Sequence, residues 1–121
     1  MTDELKFNFC DMFIYSNYMV VTMNEGVNIT PAHNDVLLNV VDTYFKNKKF
    51  VYISHRIRSY SVDPAIYKET SKIDNLAGFA VVSKDYKAKS NAEIEKLFLH
   101  KPFEIFDGLE EAITWAQSIV K

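Results

Sequence analysis

The chain has 121 residues, 48% of them hydrophobic, with 14 basic against 16 acidic residues and a pI of about 5.9. That length expects one domain, residues 1–121, able to bury a core without disulfides or metal. The near-neutral balance excludes the basic face of a nucleic-acid binder. The single cysteine, Cys10, excludes an intramolecular disulfide and a cysteine metal cluster, and no apolar run approaches the roughly 20 residues that span a bilayer.

The first ten residues, "MTDELKFNFC", open with acids and lack the basic and apolar regions of a secretory leader, so a cytoplasmic protein is expected. Within them "LKFNF" alternates, with Leu5, Phe7 and Phe9 on one side, and "MFIY" continues the apolar pattern after Asp11. This reads as one strand with a bulge near Cys10 and Asp11. Ser16-Asn17 is a turn, and "YMVVTM" is the second strand of an antiparallel hairpin. Cys10 itself reads as a buried, inert thiol.

Thr30 and Pro31 are a cap-and-proline helix start. The pairs Val36-Leu37, Val40-Val41 and Tyr44-Phe45 then recur every four residues, giving one apolar helix face. "KNKK", Lys46–Lys49, reads as a solvated helix end. "FVYIS" is the third strand. Asp63-Pro64 starts a second helix, with Ile66, Tyr67 and Ile73 turned inward, and "AGFAVVS" is the fourth strand. Ser90 and Glu93 have capping-box spacing for a third helix with a core face of Ile94, Leu97 and Phe98. "PFEIF" is a fifth, edge strand. Asp107 and Glu110 repeat the capping-box spacing before a last helix that buries Leu109, Ala112, Ile113, Ala116, Ile119 and Val120, with Trp115 beside them.

The order β-β-α-β-α-β-α-β-α specifies an α/β domain: a mostly parallel five-stranded sheet with an antiparallel N-terminal strand, and four helices. Alternation sorts the strand residues into two faces. One carries Met19, Val21, Val51, Ile53, Ala80 and Val82; the other carries Tyr18, Val20, Thr22, Phe50, Tyr52, Phe79 and Val81. The second set is rich in aromatics. Left exposed, it would suit a homodimer interface.

The stretch "ISHRIRSYSVDP", Ile53–Pro64, holds both arginines of the chain, Arg56 and Arg58. It falls beyond the carboxyl end of a parallel strand, where open α/β sheets bind ligands, and it leads into a helix start, which favours anions. Arginine is the residue for bidentate recognition of carboxylate or phosphate. Ser54, His55, Arg56, Arg58, Ser59, Tyr60 and Ser61 are therefore the candidate ligand- or partner-binding residues. Bracing of the loop by pairing of the arginines with Asp63, Glu69 or another acid is the structural alternative. His55, Ser59, Ser61 and Asp63 have the residue types of a hydrolase triad, but four residues of one loop rarely converge as a triad must. No glycine-flanked nucleophile or phosphate loop is present, and His33, His55 and His100 lack metal-ligand spacing. No metal or cofactor is expected, and a hydrolase or transferase ranks last among the readings, behind a non-enzymatic one.

This order of elements, with "EGVNI" leading into the first helix and a polar loop after the following strand, resembles the STAS (SpoIIAA-like) family. That family includes bacterial anti-sigma-factor antagonists and the cytoplasmic regulatory domains of anion transporters. The likeness covers nearly the whole chain and is nearest to small bacterial STAS-like or distantly CRAL-TRIO-like proteins. It implies a regulatory module that binds a partner protein or an anionic group, with a small apolar ligand as the alternative. In the antagonists, a serine or threonine at the start of the helix after the third strand is phosphorylated by a partner kinase, commonly in an Asp-Ser-Ser-Gly or Asp-Ser-Thr-Gly pattern. Ser59 and Ser61 lie nearest that position, so the resemblance implies these two as phosphorylation sites. Here no glycine follows them, and Pro64 occupies the helix start.

Overall fold

A computed structural model describes residues 1–120. Its strands are β1 (Asp3–Lys6), β2 (Cys10–Ile14), β3 (Tyr18–Met23), β4 (Asn28–Ile29), β5 (Phe50–His55), β6 (Ser61–Val62), β7 (Leu76–Val82) and β8 (Phe103–Phe106). Its helices are α1 (Asn34–Tyr44), entered through a 3-10 turn at Pro31–His33, then α2 (Ile66–Thr70), α3 (Tyr86–Glu95) and α4 (Leu109–Ile119). Six strands form the main sheet in the order β1-β2-β3-β5-β7-β8, antiparallel across β1-β2-β3 and parallel thereafter. β4 and β6 form a separate two-stranded parallel ribbon.

The α/β class and the antiparallel N-terminal edge match the sequence expectation, with one strand more. What reads as a single bulged strand is a second hairpin: Phe7 N–H donates to the Cys10 carbonyl at 2.9 Å, and the chain reverses through Asn8 and Phe9. The apolar alternation runs on through this turn and so hides it.

The three parallel crossovers all step the same way along the sheet. Right-handed connections therefore put α1, α2 and α3 on one face. α4 follows the edge strand β8 and folds back over the other. Cys10, Met12, Met19, Val21, Phe50, Tyr52, Phe79 and Val81 pack under Leu37, Val41, Phe45, Ile66 and Tyr67. On the opposite face Tyr18, Val20, Val51, Ile53, Ala80 and Val82 pack against Ala112 and Ala116. The sequence-based face assignment is thus out by one residue in β3, because β3 pairs with β5 as Tyr18 opposite Val51 and Met19 opposite Tyr52. The aromatic face is covered, not exposed: Tyr52, Phe79 and Phe103 stack ring on ring beneath α2, with Tyr67 edge-on to Phe79. It offers no open surface to a second copy. Cys10 is fully buried, and burial, helped by the neighbouring Asp11 charge, pushes its thiol up to about 12.

Beyond α1 the chain turns through a left-handed residue, Asn47, within the exposed lysine run, and Asn75 braces this turn by donating to the Phe45 and Lys48 carbonyls at 2.6 and 2.9 Å. α4 lies close on β7 because Ala112 and Ala116 keep its inner face shallow and Gly78 leaves room below. A Cβ at Gly78 would stand 2.6 Å from Ile119 Cδ1 and 2.9 Å from Trp115 Cη2. Gly78→Val should therefore destabilise the protein by about 2 kcal/mol through overpacking, read as a lowered urea midpoint at unchanged slope.

Two capping-box expectations fail. α3 starts four residues before Ser90: Asp85 is its N-cap and accepts from Ala88 N–H at 3.0 Å. Ile94, Leu97 and Phe98 consequently turn outward, at 55%, 77% and 46% exposure, and the helix buries only Ala92 and Glu95. At α4 the cap is Gly108, which has no side chain to offer, and Asp107, one residue too early, pairs with Lys89 instead.

Candidate functional site

β5 carries its alternation one residue past its end. Phe50, Tyr52 and Ser54 face the α1–α3 side, and Arg56 follows them inward. Its side chain is 6% exposed and forms a two-pronged pair with Glu95 of α3, Nη1 to Oε2 at 2.8 Å and Nη2 to Oε1 at 2.6 Å. Arg56 Nε donates to Ser54 Oγ at 3.1 Å, Ser54 Oγ and Tyr60 Oη share a hydrogen bond of 3.0 Å, and the guanidinium lies 5.5 Å from the Tyr60 ring centre. Tyr67 of α2 donates its hydroxyl to Glu95 Oε1. Burial opposes the Arg56 charge, but the Glu95 hydrogen bonds and field outweigh it, and the guanidinium pKa is raised. Burial likewise raises the Tyr60 and Tyr67 phenols, so both stay protonated. Ser54, Arg56 and Tyr60 thus join one network. Glu95 and Tyr67, absent from the sequence-based candidates, complete it.

Arg58, Ser59 and Ser61 go outward. Ser61 Oγ donates to Asn28 Oδ1 at 2.9 Å, and Ser59 N–H donates to Glu25 Oε1 at 3.3 Å, so the loop is tied to the 24–29 segment. The expected helix-start anion site is not formed. α2 is five residues long, and Asp63 Oδ1 already accepts the Ala65 N–H at 3.0 Å. Asp63-Pro64 thus forms the turn that leads into α2, while the N-cap itself is Ala65, two residues later than expected. His55 lies on the opposite side of β5 from Ser54, and among the described residues no hydrogen bond links it to Ser59, Ser61 or Asp63.

Partial burial lowers the His55 pKa. The unfolded chain then takes up its proton first as pH falls, so stability should drop as pH passes down through the unfolded value of about 6.5 and level off below the folded one. His55→Gln should remove this component, measured as a flatter dependence of the urea midpoint between pH 8 and 5.

Two spaces flank the network. Between sheet, α1 and α2 lies a half-open pocket of about 40 Å³ with apolar walls that include Met12, Leu37, Ile66 and Phe79, and polar points at Asn34, Ser54 and Thr70. On the outer side, the loop and α3 enclose an open cleft of about 700 Å³, its walls including Arg58, Ser59 and Val62 on one side and Lys87, Asn91 and Ile94 on the other. Arg56, Tyr60 and Val62 border both spaces. Among the described residues Arg58 and Lys87 have no ion-pair partner, and Ile57 and Ile94 are 60% and 55% exposed at the cleft. Among these residues no helix is long and apolar enough to cross a membrane.

No family model matches the sequence, and no curated protein matches it. The fold is SpoIIAA-like. The structure is similar to the crystal structure of an uncharacterized protein from the DUF3478 family with a SpoIIAA-like fold, from Shewanella loihica PV-4. The TM-score is 0.56 at 12% identity over 88% of this chain and 91% of that one.

Proposed function

We propose that this SpoIIAA-like chain is a non-enzymatic recognition module that binds a partner protein through the cleft between the 56–64 loop and α3. The observation that carries this reading is the pairing of two unengaged cations, Arg58 and Lys87, with two exposed isoleucines, Ile57 and Ile94, around one concave surface. Interfaces combine apolar contact for affinity with charge for orientation and partner choice. Arg56, with Glu95, forms the floor, and the free guanidinium for an anionic group is Arg58. The alternative, an apolar ligand inside, has less support: the pocket of about 40 Å³ is far below the roughly 150 Å³ that admits benzene.

Native lysate passed over immobilised wild-type and Arg58→Glu/Lys87→Glu protein, with quantitative mass spectrometry, tests the proposal. A protein retained by wild type should be depleted about tenfold or more on the charge-reversed bait. Equal recovery on both baits overturns the reading. Ser59 is exposed beside Arg58. A phosphate there would engage the same cation and turn binding off, so Ser59→Asp should reduce retention in the same assay.

A further inference from the structure

The ribbon β4–β6 has an unused edge that faces this cleft. Ser61 N–H donates to the Val27 carbonyl at 3.0 Å and Asp63 N–H to the Ile29 carbonyl at 2.8 Å, so residues 61 and 63 spend their N–H groups on the β4 side. Tyr60 and Val62 alternate with them, and their N–H and C=O groups point the other way. Among the described residues none of these four groups has a hydrogen-bond partner. Both residues line the cleft, while the Tyr60 hydroxyl is directed inward to Ser54. Opposite them, Lys87, Asn91 and Ile94 recur at helical spacing along α3. An open strand edge facing a helix across a cleft is a geometry that accepts an extended peptide as an added strand. Main-chain hydrogen bonds then supply affinity, and alternate side chains supply specificity.

We infer that the cleft binds an extended segment of a partner protein, added as a third strand along β6, with acidic side chains meeting Arg58 and Lys87 and an apolar side chain between Ile57 and Ile94. The inference rests on the recognition reading above and specifies its mode. Formal charges in the lining balance, Arg56, Arg58 and Lys87 against Glu25, Asp85 and Glu95. Glu95 is spent on Arg56, while Asp85 and Glu25 each accept a single backbone N–H and keep their charge. Among the described residues Arg58 and Lys87 have no ion-pair partner, and acidic side chains placed against these two would supply one.

Phage-displayed random linear heptapeptides, panned on the full chain, supply the probe. The enriched sequences should combine acids with alternating apolar residues. A synthetic peptide of the enriched sequence should lose about tenfold or more in affinity on Arg58→Glu/Lys87→Glu, with the fold of the variant checked by circular dichroism. N-methylation scanned along the peptide should abolish binding at every second residue and spare the residues between, because only alternate N–H groups of a strand face its neighbour. Charge-dependent binding that is indifferent to N-methylation overturns strand addition and leaves the recognition reading standing. Binding indifferent to charge reversal overturns both. No enrichment overturns the inference, as does no enrichment combined with co-sedimentation of the protein with phosphatidylserine-containing vesicles, which would make the surface a lipid-facing one.

Discussion

Arg56→Ala should cost about 3–5 kcal/mol, a large share of the stability of a domain this size. The reason is what it leaves behind. Glu95 is 7% exposed in its side chain, and both of its oxygens accept from Arg56; with the guanidinium gone, only the Tyr67 hydroxyl remains for a buried carboxylate. Removing both charges is a different experiment. Arg56→Met with Glu95→Leu replaces the pair by apolar groups of similar length and should recover most of the loss, because the desolvation cost disappears together with the attraction. Urea denaturation of wild type, the single variant and the double variant reads the two terms separately. A single variant within about 1 kcal/mol of wild type would mean that the pair is solvated in solution and contributes as little as a surface ion pair.

Phe79→Ala is the second large effect, at about 3–5 kcal/mol. Phe79 is 5% exposed and stacks between Tyr52 and Phe103 at 4.7 and 5.2 Å between ring centres, with Tyr67 edge-on at 5.6 Å. Its removal deletes three aromatic contacts and opens a void beside the existing 40 Å³ pocket, whose wall it forms. The enlarged space should hold an apolar guest. Saturating benzene or xenon should therefore raise the thermal midpoint of the variant and not that of wild type. A variant of lowered stability that gains nothing from either guest would show that α1 or α2 had collapsed into the space.

Much of this architecture can be read from local chemistry. Thr30-Pro31 and Asp63-Pro64 mark helix entries, and the valine and leucine pairs of α1 fix its inner face. Other features needed the third dimension. A period of two cannot say which face of a parallel strand meets which face of its neighbour, and so alternation alone places the β3 residues on the wrong sides. At α3 the spacing of Ser90 and Glu93 imitates a cap, while the working cap, Asp85, sits before an exposed tyrosine that gives no amphipathic signal. The two arginines are a partial case. Their clustering singles out the loop that borders the cleft, and continuing the alternation of β5 past Ser54 sends Arg56 inward and Ile57 outward. The partner of Arg56 lies 39 residues away on a helix that buries only Ala92 and Glu95, and no local pattern pairs them.

α3 is held to the sheet by Ala92 and an ion pair, where the other long helices are held by apolar stripes. The consequence lies in the order of folding. Hydrophobic contacts can form loosely in a partly wet transition state, whereas a two-pronged pair gains little until its site is dry and aligned. α3 should thus dock after the barrier, with φ-values near zero for Arg56 and Glu95, and weakening the pair should quicken unfolding while leaving the refolding rate almost untouched. The wall of the cleft would then be the last part of the molecule to assemble and the first to open.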